Sequence, residues 1–341
     1  MDSLTQIVLG ASVGEAVGGG KMGNKAALWG AIAGTIPDLD VFFRFIYSPI
    51  DAMHVHRGFS HSFLFAILFA PVLAQLIFYI HKRKHDFKLL LYLSFLTIIT
   101  HPLLDMFTNY GTQLFWPFDY RVSLNTISVI DPIYTIPFLI FLLITLFLKK
   151  ESSVRRKINR FSLVLSCSYL LAGCIIKVYV HSDVSEKYSS LNVIPNRTIT
   201  VPMPLTSFYW FSLAEGKKSF YFSYESLFYP FNKKDIDTIP KNHFLLKKKG
   251  VINNPEVLKI IKMSKNYYSV KSVGNNLLIY DLRFGNSSKI SGGKQKEPVW
   301  GYLLEFKKDK LIKITPKKPD YSSGLDFKKY IRTIFSEKNY E

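Results

Sequence analysis

His56-Arg57-Gly58-Phe59-Ser60-His61-Ser62 stands at the mouth of one apolar run, and His101-Pro102-Leu103-Leu104-Asp105 closes the next. Upstream, Pro37-Asp38-Leu39-Asp40 follows a third apolar stretch. Residues i and i+4 of a helix project from one face, so His101 and Asp105 can share an ion, or can pin their helix through a mutual hydrogen bond. An ionisable pair inside an apolar span is costly unless it faces the bundle interior or carries a function. His56 and His61 are out of register on a straight helix, but Gly58 permits a turn that lets both face one point. Asp38 and Asp40 are either solvated turn residues or carboxylate ligands of the kind that zinc, manganese or magnesium accepts beside imidazoles. Arg57 adds a planar fork suited to phosphate or carboxylate, and Ser60 is a candidate N-cap. Together Asp38, Asp40, His56, His61, His101 and Asp105 make one candidate metal site, with His54 as a spare. His81 and His85 lie in a basic loop and are excluded from it.

Outward from these motifs the chain is apolar in its first half and basic in its second. Of 341 residues, 44 are Lys or Arg against 25 Asp or Glu, and residues 181–341 hold 28 of the basic and 15 of the acidic ones. The fold expected is an α-helical multi-pass membrane domain over residues 1–180, followed by a soluble β-rich domain over 181–341. Small-residue-rich helices at 4–18 and 24–36, separated by Gly18-Gly19-Gly20, read as a short or re-entrant hairpin. Spans of about 20 residues follow at 61–81, 89–108, 128–148 and 160–180. Nothing at the N-terminus resembles a cleavable signal peptide.

The loops around 82–88 and 149–160 are rich in Lys and Arg, whereas 109–127 holds only Arg121. The positive-inside rule then puts the basic loops in the cytoplasm, and every candidate ligand together with the C-terminal domain outside. In that domain, aromatic and β-branched runs at 197–202, 208–212, 219–224, 277–282 and 300–306 predict strands, with one helix near 255–264 and a Gly/Ser/Lys loop at 287–296. It is expected to supply no ligand. Its lysines come singly or in short runs without a nucleic-acid-binding signature, so nucleic acid is not an expected partner and a lipid surface is. Glu15 is a ligand, an acceptor behind a ligand or half of an ion pair, and Asp131-Pro132 reads as an N-cap with proline at N1.

Met1-Asp2-Ser3-Leu4-Thr5-Gln6, the three motifs above and Asn109-Tyr110-Gly111-Thr112 resemble the YdjM/DUF457 family of membrane-bound metal-dependent hydrolases over about residues 1–150. The stretch Tyr280-Asp281-Leu282-Arg283-Phe284-Gly285 looks like the long members that add a further domain. That family is similar to the zinc-dependent phospholipase C and P1 nuclease superfamily. The resemblance implies phosphoester hydrolysis, a divalent metal (zinc first, manganese or magnesium otherwise), and an Asp of the 38–40 turn, a His of the 56–61 motif, His101 and Asp105 as ligands. Gln6 stands where many members have His, and the superfamily's further His/Glu ligands lack counterparts, so one or two metals are expected.

The function expected is therefore a hydrolase at the outer face of the cytoplasmic (inner) membrane, acting on a lipid or lipid-linked phosphoester. Arg57 would steady developing negative charge, and Asp40, where it is not a ligand, would accept the proton of the attacking water. A non-catalytic, structural or regulatory metal-binding membrane protein is the alternative. A transporter fits less well, because it would place ionisable groups near the midplane and show paired repeats.

Overall fold

The structure is a computed structural model that describes residues 1–190, 195–228, 236–286, 297–317 and 327–335. It divides into two compact units, Met1–Ile46 with Val55–Ile176 and Pro204–Ser207, and Tyr47–His54 with Lys177–Met203 and Phe208–Glu341.

The first unit is helical. Helix α1 (Ser3–Met22) is N-capped by Asp2 and broken from α2 (Asn24–Thr35) by Gly23, whose φ of 59° admits the turn. The Gly18-Gly19-Gly20 run, expected as a linker, is helical. Gly18 packs closely on Ala26 of α2, and further along the same pair of helices a Cβ on Gly10 or Gly30 would run into the other's carbonyl oxygen. Past Thr35 the chain tightens into a 3-10 helix (Ile36–Phe45) with Pro37 in its first turn, where proline needs no backbone donor. Asp38 and Asp40 therefore sit on a helix rather than in a loop.

A short α3 (Pro49–Val55) and a single 3-10 turn (Phe59–His61) lead into α4 (Phe63–Ile80), which pairs with α5 (Phe87–Asp105). Asp131 caps α6 (Pro132–Phe147) by accepting from Ile133 and Tyr134. Among the described residues, 24–45, 63–80, 87–105 and 153–189 are helices long and apolar enough to cross a membrane. The α6 helix, expected as a full span, is shorter at 16 residues.

Helix α7 (Ser153–Ser190) runs well beyond its expected end at 180. Val180, Val184 and Tyr188, one turn apart on one face, are buried, so tertiary packing carries the helix on through polar sequence.

The second unit is built from two four-stranded antiparallel sheets, ordered β1 (Arg197–Pro202), β2 (Tyr209–Glu215), β3 (Ser219–Ser226), β4 (Asp237–Pro240), and β5 (Tyr268–Val273), β6 (Asn276–Asn286), β7 (Pro298–Lys307), β8 (Lys310–Lys317). The anticipated strands fall on β1, β2, β3, β6 and β7; the 287–296 loop lies outside the described residues. Alternation along each strand sends Phe211, Leu213, Phe220 and Phe222 into one core with Leu278, Tyr280 and Leu282. The opposite face of the second sheet, with Leu277, Ile279, Tyr302 and Leu304, packs on Leu246 of α8 (Phe244–Lys248) and on Val257 and Ile260 of α9 (Pro255–Met263). A last helix, α10 (Phe327–Phe335), adds Tyr330 and Ile334 to the first core.

On the far face of the first sheet, Tyr188 donates to Tyr221 O, and Lys187 reaches Glu225 at 3.2 Å as well as Asp183. Burial raises the Glu225 carboxyl, Lys187 offsets only part of that, and the group ends up at about 7. A folded-state pKa raised above the unfolded value contributes stability below the unfolded value and loses it as pH rises through the folded one. Glu225→Gln should accordingly raise the melting temperature of this unit by several degrees at pH 8 and leave it unchanged near pH 4.5, as read by thermal circular dichroism. An equal shift at both pH values would show that burial of the charge is not the cause.

Candidate metal centre

The C-terminal ends of α2 and α5 and the N-terminal end of α4 meet at one end of the helix bundle, and each brings a polar group that apolar surroundings force to find a partner. The 3-10 extension of α2 supplies Asp38, the 3-10 turn before α4 supplies His61, and the last turn of α5 supplies His101 and Asp105. One ligand atom from each lies within 4.8 Å of the others. The side chains of His61, His101 and Asp105 are fully buried, and that of Asp38 is 25% exposed.

The hydrogen bonds at the edge of this group determine which atoms face its middle. His101 Nδ1 lies 2.6 Å from the carbonyl oxygen of Gly34, which can only accept, so Nδ1 carries the hydrogen and Nε2 presents its lone pair. His61 Nδ1 lies 3.3 Å from Asp40 Oδ2 and 3.0 Å from Ser60 Oγ, which leaves His61 Nε2 facing inward as well. The two Nε2 atoms are 3.1 Å apart, and each is 3.4 Å from Asp38 Oδ1. Asp105 Oδ2 lies 3.5 Å from His61 Nε2 and 3.0 Å from Arg57 Nε. Two imidazole lone pairs and two carboxylate oxygens converging in a buried space could hold a cation between them, the donors being of the borderline N/O kind that metal ions accept.

Without that cation a proton takes its place. Burial alone would lower the His61 pKa, but hydrogen bonds to the carboxylates of Asp105, Asp38 and Asp40 more than offset burial and push it up to about 10.

The other candidates surround this group. Asp40 is buried and accepts from His56 Nδ1 at 2.7 Å, from the backbone N–H of Arg57 at 3.0 Å and from Ser60 Oγ at 2.8 Å. It thus holds both histidines of the motif by their Nδ1 atoms, and His56 lies outside the group of four. Ser60 donates to Asp40; the N-cap of α4 is Ser62. Arg57 is buried with φ 58°, a conformation that costs about 1 kcal/mol for a residue with a Cβ and is fixed here by Asp40 on one side and Gln113 on the other. Its Nε lies 3.0 Å from Asp105 Oδ2, one terminal nitrogen donates to Thr108 Oγ1 at 2.8 Å, and its guanidinium stacks over Tyr110.

Sequence reasoning did not assign Gln6, which donates to Asp105 Oδ1 at 2.9 Å, beside the amino group of Met1. Its signals were a polar side chain in an otherwise apolar helix and its place where many members of the resembled family have His. Glu15 is half of an ion pair: Arg155 donates to both its oxygens at 2.6 Å. His54 lies on α3, and His81 accepts from Trp29 Nε1, so neither joins the group.

Replacing His61, His101 or Asp105 by Ala should abolish stoichiometric metal binding, measured by elemental analysis of purified protein. Asp40→Ala should weaken binding about 10- to 100-fold while leaving full occupancy reachable at high metal, if Asp40 acts by holding His56 and His61 through their Nδ1 atoms. Since each cation displaces one proton from His61, affinity should rise about tenfold per pH unit between roughly pH 6 and 9, with proton release seen by calorimetry in buffers of different ionisation enthalpy. A pH-independent affinity would remove His61 from the ligand set.

YfhP of Bacillus subtilis (strain 168), described as an uncharacterized protein, is 31% identical over 140 residues, which is 39% of this chain and 42% of YfhP, so less than half of that relative's length is spanned. No solved structure matches. Residues 1–180, which hold Asp38, His61, His101 and Asp105, match the family model described as YdjM inner membrane protein, and the chain belongs to that family.

Proposed function

We propose that this protein is a metal-dependent hydrolase of the inner membrane, acting on a phosphoester of a lipid or lipid-linked substrate at the outer membrane face. The observation that carries the proposal is the convergence of four ligand atoms, two of them imidazole lone pairs fixed by their opposite nitrogens, in an otherwise apolar helix bundle. Asp38, His61, His101 and Asp105 would hold the metal, with zinc the first candidate and manganese or magnesium the others. A divalent cation there would acidify a bound water and polarise a phosphoryl oxygen, and with it the charges of Asp38, Asp105 and Arg57 sum to plus one, a balance suited to an anionic ester.

The residues of the chain have distinct roles in this reading. Arg57 fixes Asp105 and offsets its charge. Asp40 aligns His61 and holds His56, which is the more exposed of the two at 30% against none. Asp38 is the one ligand reachable from outside the bundle, so substrate would approach from its side. Leu39 beside it is 55% exposed, and Phe59, Trp116 and Phe118 are also exposed, with Phe59 edge-on to Trp116 at 4.9 Å. Apolar and aromatic side chains displayed next to ligands suit a membrane interface and an acyl or prenyl chain rather than a free soluble ester.

The test is hydrolysis by purified protein of a panel of phospholipids, lipid phosphates and soluble phosphodiesters, with and without chelator. Chelator-sensitive turnover of a lipid substrate, lost in His101→Ala, is expected. Arg57→Lys should keep the metal and lose turnover at least tenfold, because it keeps the charge but loses the fork that spans Asp105 and Thr108. Stoichiometric metal with no hydrolysis of any panel member would replace the enzyme reading by a structural or regulatory metal site.

A further inference from the structure

The end of the helix bundle opposite the metal centre carries groups that the proposed hydrolysis does not use. Helix α4 starts next to His61 and ends at Ile80, and its 18 residues, at about 1.5 Å each, set His81 roughly 27 Å from the start of the helix. The indole of Trp29, on α2, donates from Nε1 to His81 Nε2 at 2.9 Å. Nε2 therefore offers its lone pair and the ring hydrogen sits on Nδ1, so this bond exists only while His81 is neutral. His85 stands edge-on to His81, with ring centroids 5.2 Å apart.

The surroundings of this pair are positive. Lys25 lies one turn before Trp29 on α2, and Lys82, Arg83, Lys84 and Lys88 follow His81; all five are exposed. Among the described residues none of the five forms an ion pair with a carboxylate. Asp86, the acid within the same loop, accepts from Lys88 N as the N-cap of α5. The loop is held in one shape: Lys82 and Arg83 take left-handed backbone angles, φ 50° and 60°, and the N–H groups of His81, Lys82 and Arg83 donate to the carbonyls of Ile77, Tyr79 and Phe78. Burial, then His85 and then Lys25 hold the His81 imidazole below its ordinary value. A charge on His81 is unfavourable here until negative charge arrives from outside the chain.

We infer that this end of the bundle is a binding surface for the phosphate of an anionic lipid headgroup, centred on His81, His85 and Lys25, and that its occupation protonates His81 and releases Trp29. A lipid fits better than a soluble anion because the cluster sits where α4 and α5 leave their apolar spans. Tyr79 and Ile80 before it and Phe87 after it are exposed, and the Arg83 guanidinium lies over the Tyr79 ring at 5.5 Å. Acyl chains cover such side chains while the headgroup stands at the level of the basic loop. A phosphate oxygen can accept from His81 Nδ1. Once a proton from solvent enters at Nε2, that N–H and the Trp29 N–H face one another, and the tie between α2 and α4 opens. The inference does not depend on the reading of the metal centre.

The test follows the Trp29 indole N–H signal by NMR in the full chain carrying isotope-labelled tryptophan, in nanodiscs of phosphatidylcholine alone and of phosphatidylcholine with phosphatidylglycerol. Trp29→Phe identifies the signal by its loss, and His81→Gln identifies it independently by the loss of its pH dependence. In neutral discs the signal should titrate below the ordinary histidine value, and phosphatidylglycerol should raise the midpoint by about one pH unit, a tenfold gain in proton affinity. The average potential of an anionic surface would raise it equally in every variant, whereas a built site loses most of the shift when Lys25→Gln and His85→Gln are combined. A signal that does not titrate, an unchanged midpoint in the parent, or a full shift in that double variant overturns the inference. The same rise produced by inorganic phosphate in neutral discs overturns the assignment to a lipid.

Discussion

Asp105 is a carboxylate with no exposure, at the end of a helix whose other faces are apolar. Taking such a group out of water costs several kcal/mol unless charges and donors answer it, so much of the surrounding structure is a response to that one residue. Arg57 answers Asp105 Oδ2, Gln6 and the Met1 amino group answer Oδ1, and each of these needs its own support. Arg57 takes a left-handed backbone conformation held by Asp40 and Gln113, and Gln6 is brought close because α1 and α2 pack glycine on glycine. A shift in any of these contacts would be felt at His61 and His101.

Much of this was legible in the sequence because the physics is local. The spacing of His101 and Asp105 says that they share a helical face, and the apolar residues around them say that the face is buried. The alternation of aromatic residues in β2, β3, β6 and β7 reports two-faced strands equally directly. Of the three strands that were not foreseen, β4 and β8 carry weaker patterns. β4 has four residues, and β8 (Lys-Leu-Ile-Lys-Ile-Thr-Pro-Lys) is a Lys-studded edge strand with only one buried side chain.

Within the site, the sequence could not separate Asp38 from Asp40 or His56 from His61. On a 3-10 helix, residues two apart point in different directions, so Asp38 turns to His61 and His101 and Asp40 to the following loop. Which of the two faces inward depends on where α2 stops and the tighter helix begins, and a composition of Pro, Asp and Leu does not state that. The membership of Tyr47–His54 in the second unit is hidden for a stronger reason. Ile50 is a single apolar residue whose partners are roughly 200 positions away, and no local periodicity marks such a contact.

The membrane unit contains a second buried charge cluster, and the contrast shows what kind of place the first is. Glu15 and Arg155 form a bidentate pair at 2.6 Å on both arms, Arg155 also donates to Leu148 O, and Asn159 donates to Ser12 O nearby. Both Glu15 oxygens have partners, as expected where ionic groups tie helices together in an apolar medium. The cluster at Asp38, His61, His101 and Asp105 is built the other way. Its outward atoms are bonded to Gly34, Ser60 and Asp40, while two Nε2 atoms and Asp105 Oδ2 are turned toward one another. A buried network that satisfies its rim and leaves its centre to lone pairs is stable only with positive charge in the middle, supplied by a proton or by a metal. The proton satisfies one pair of atoms at a time, whereas a divalent cation can meet all four donors at once.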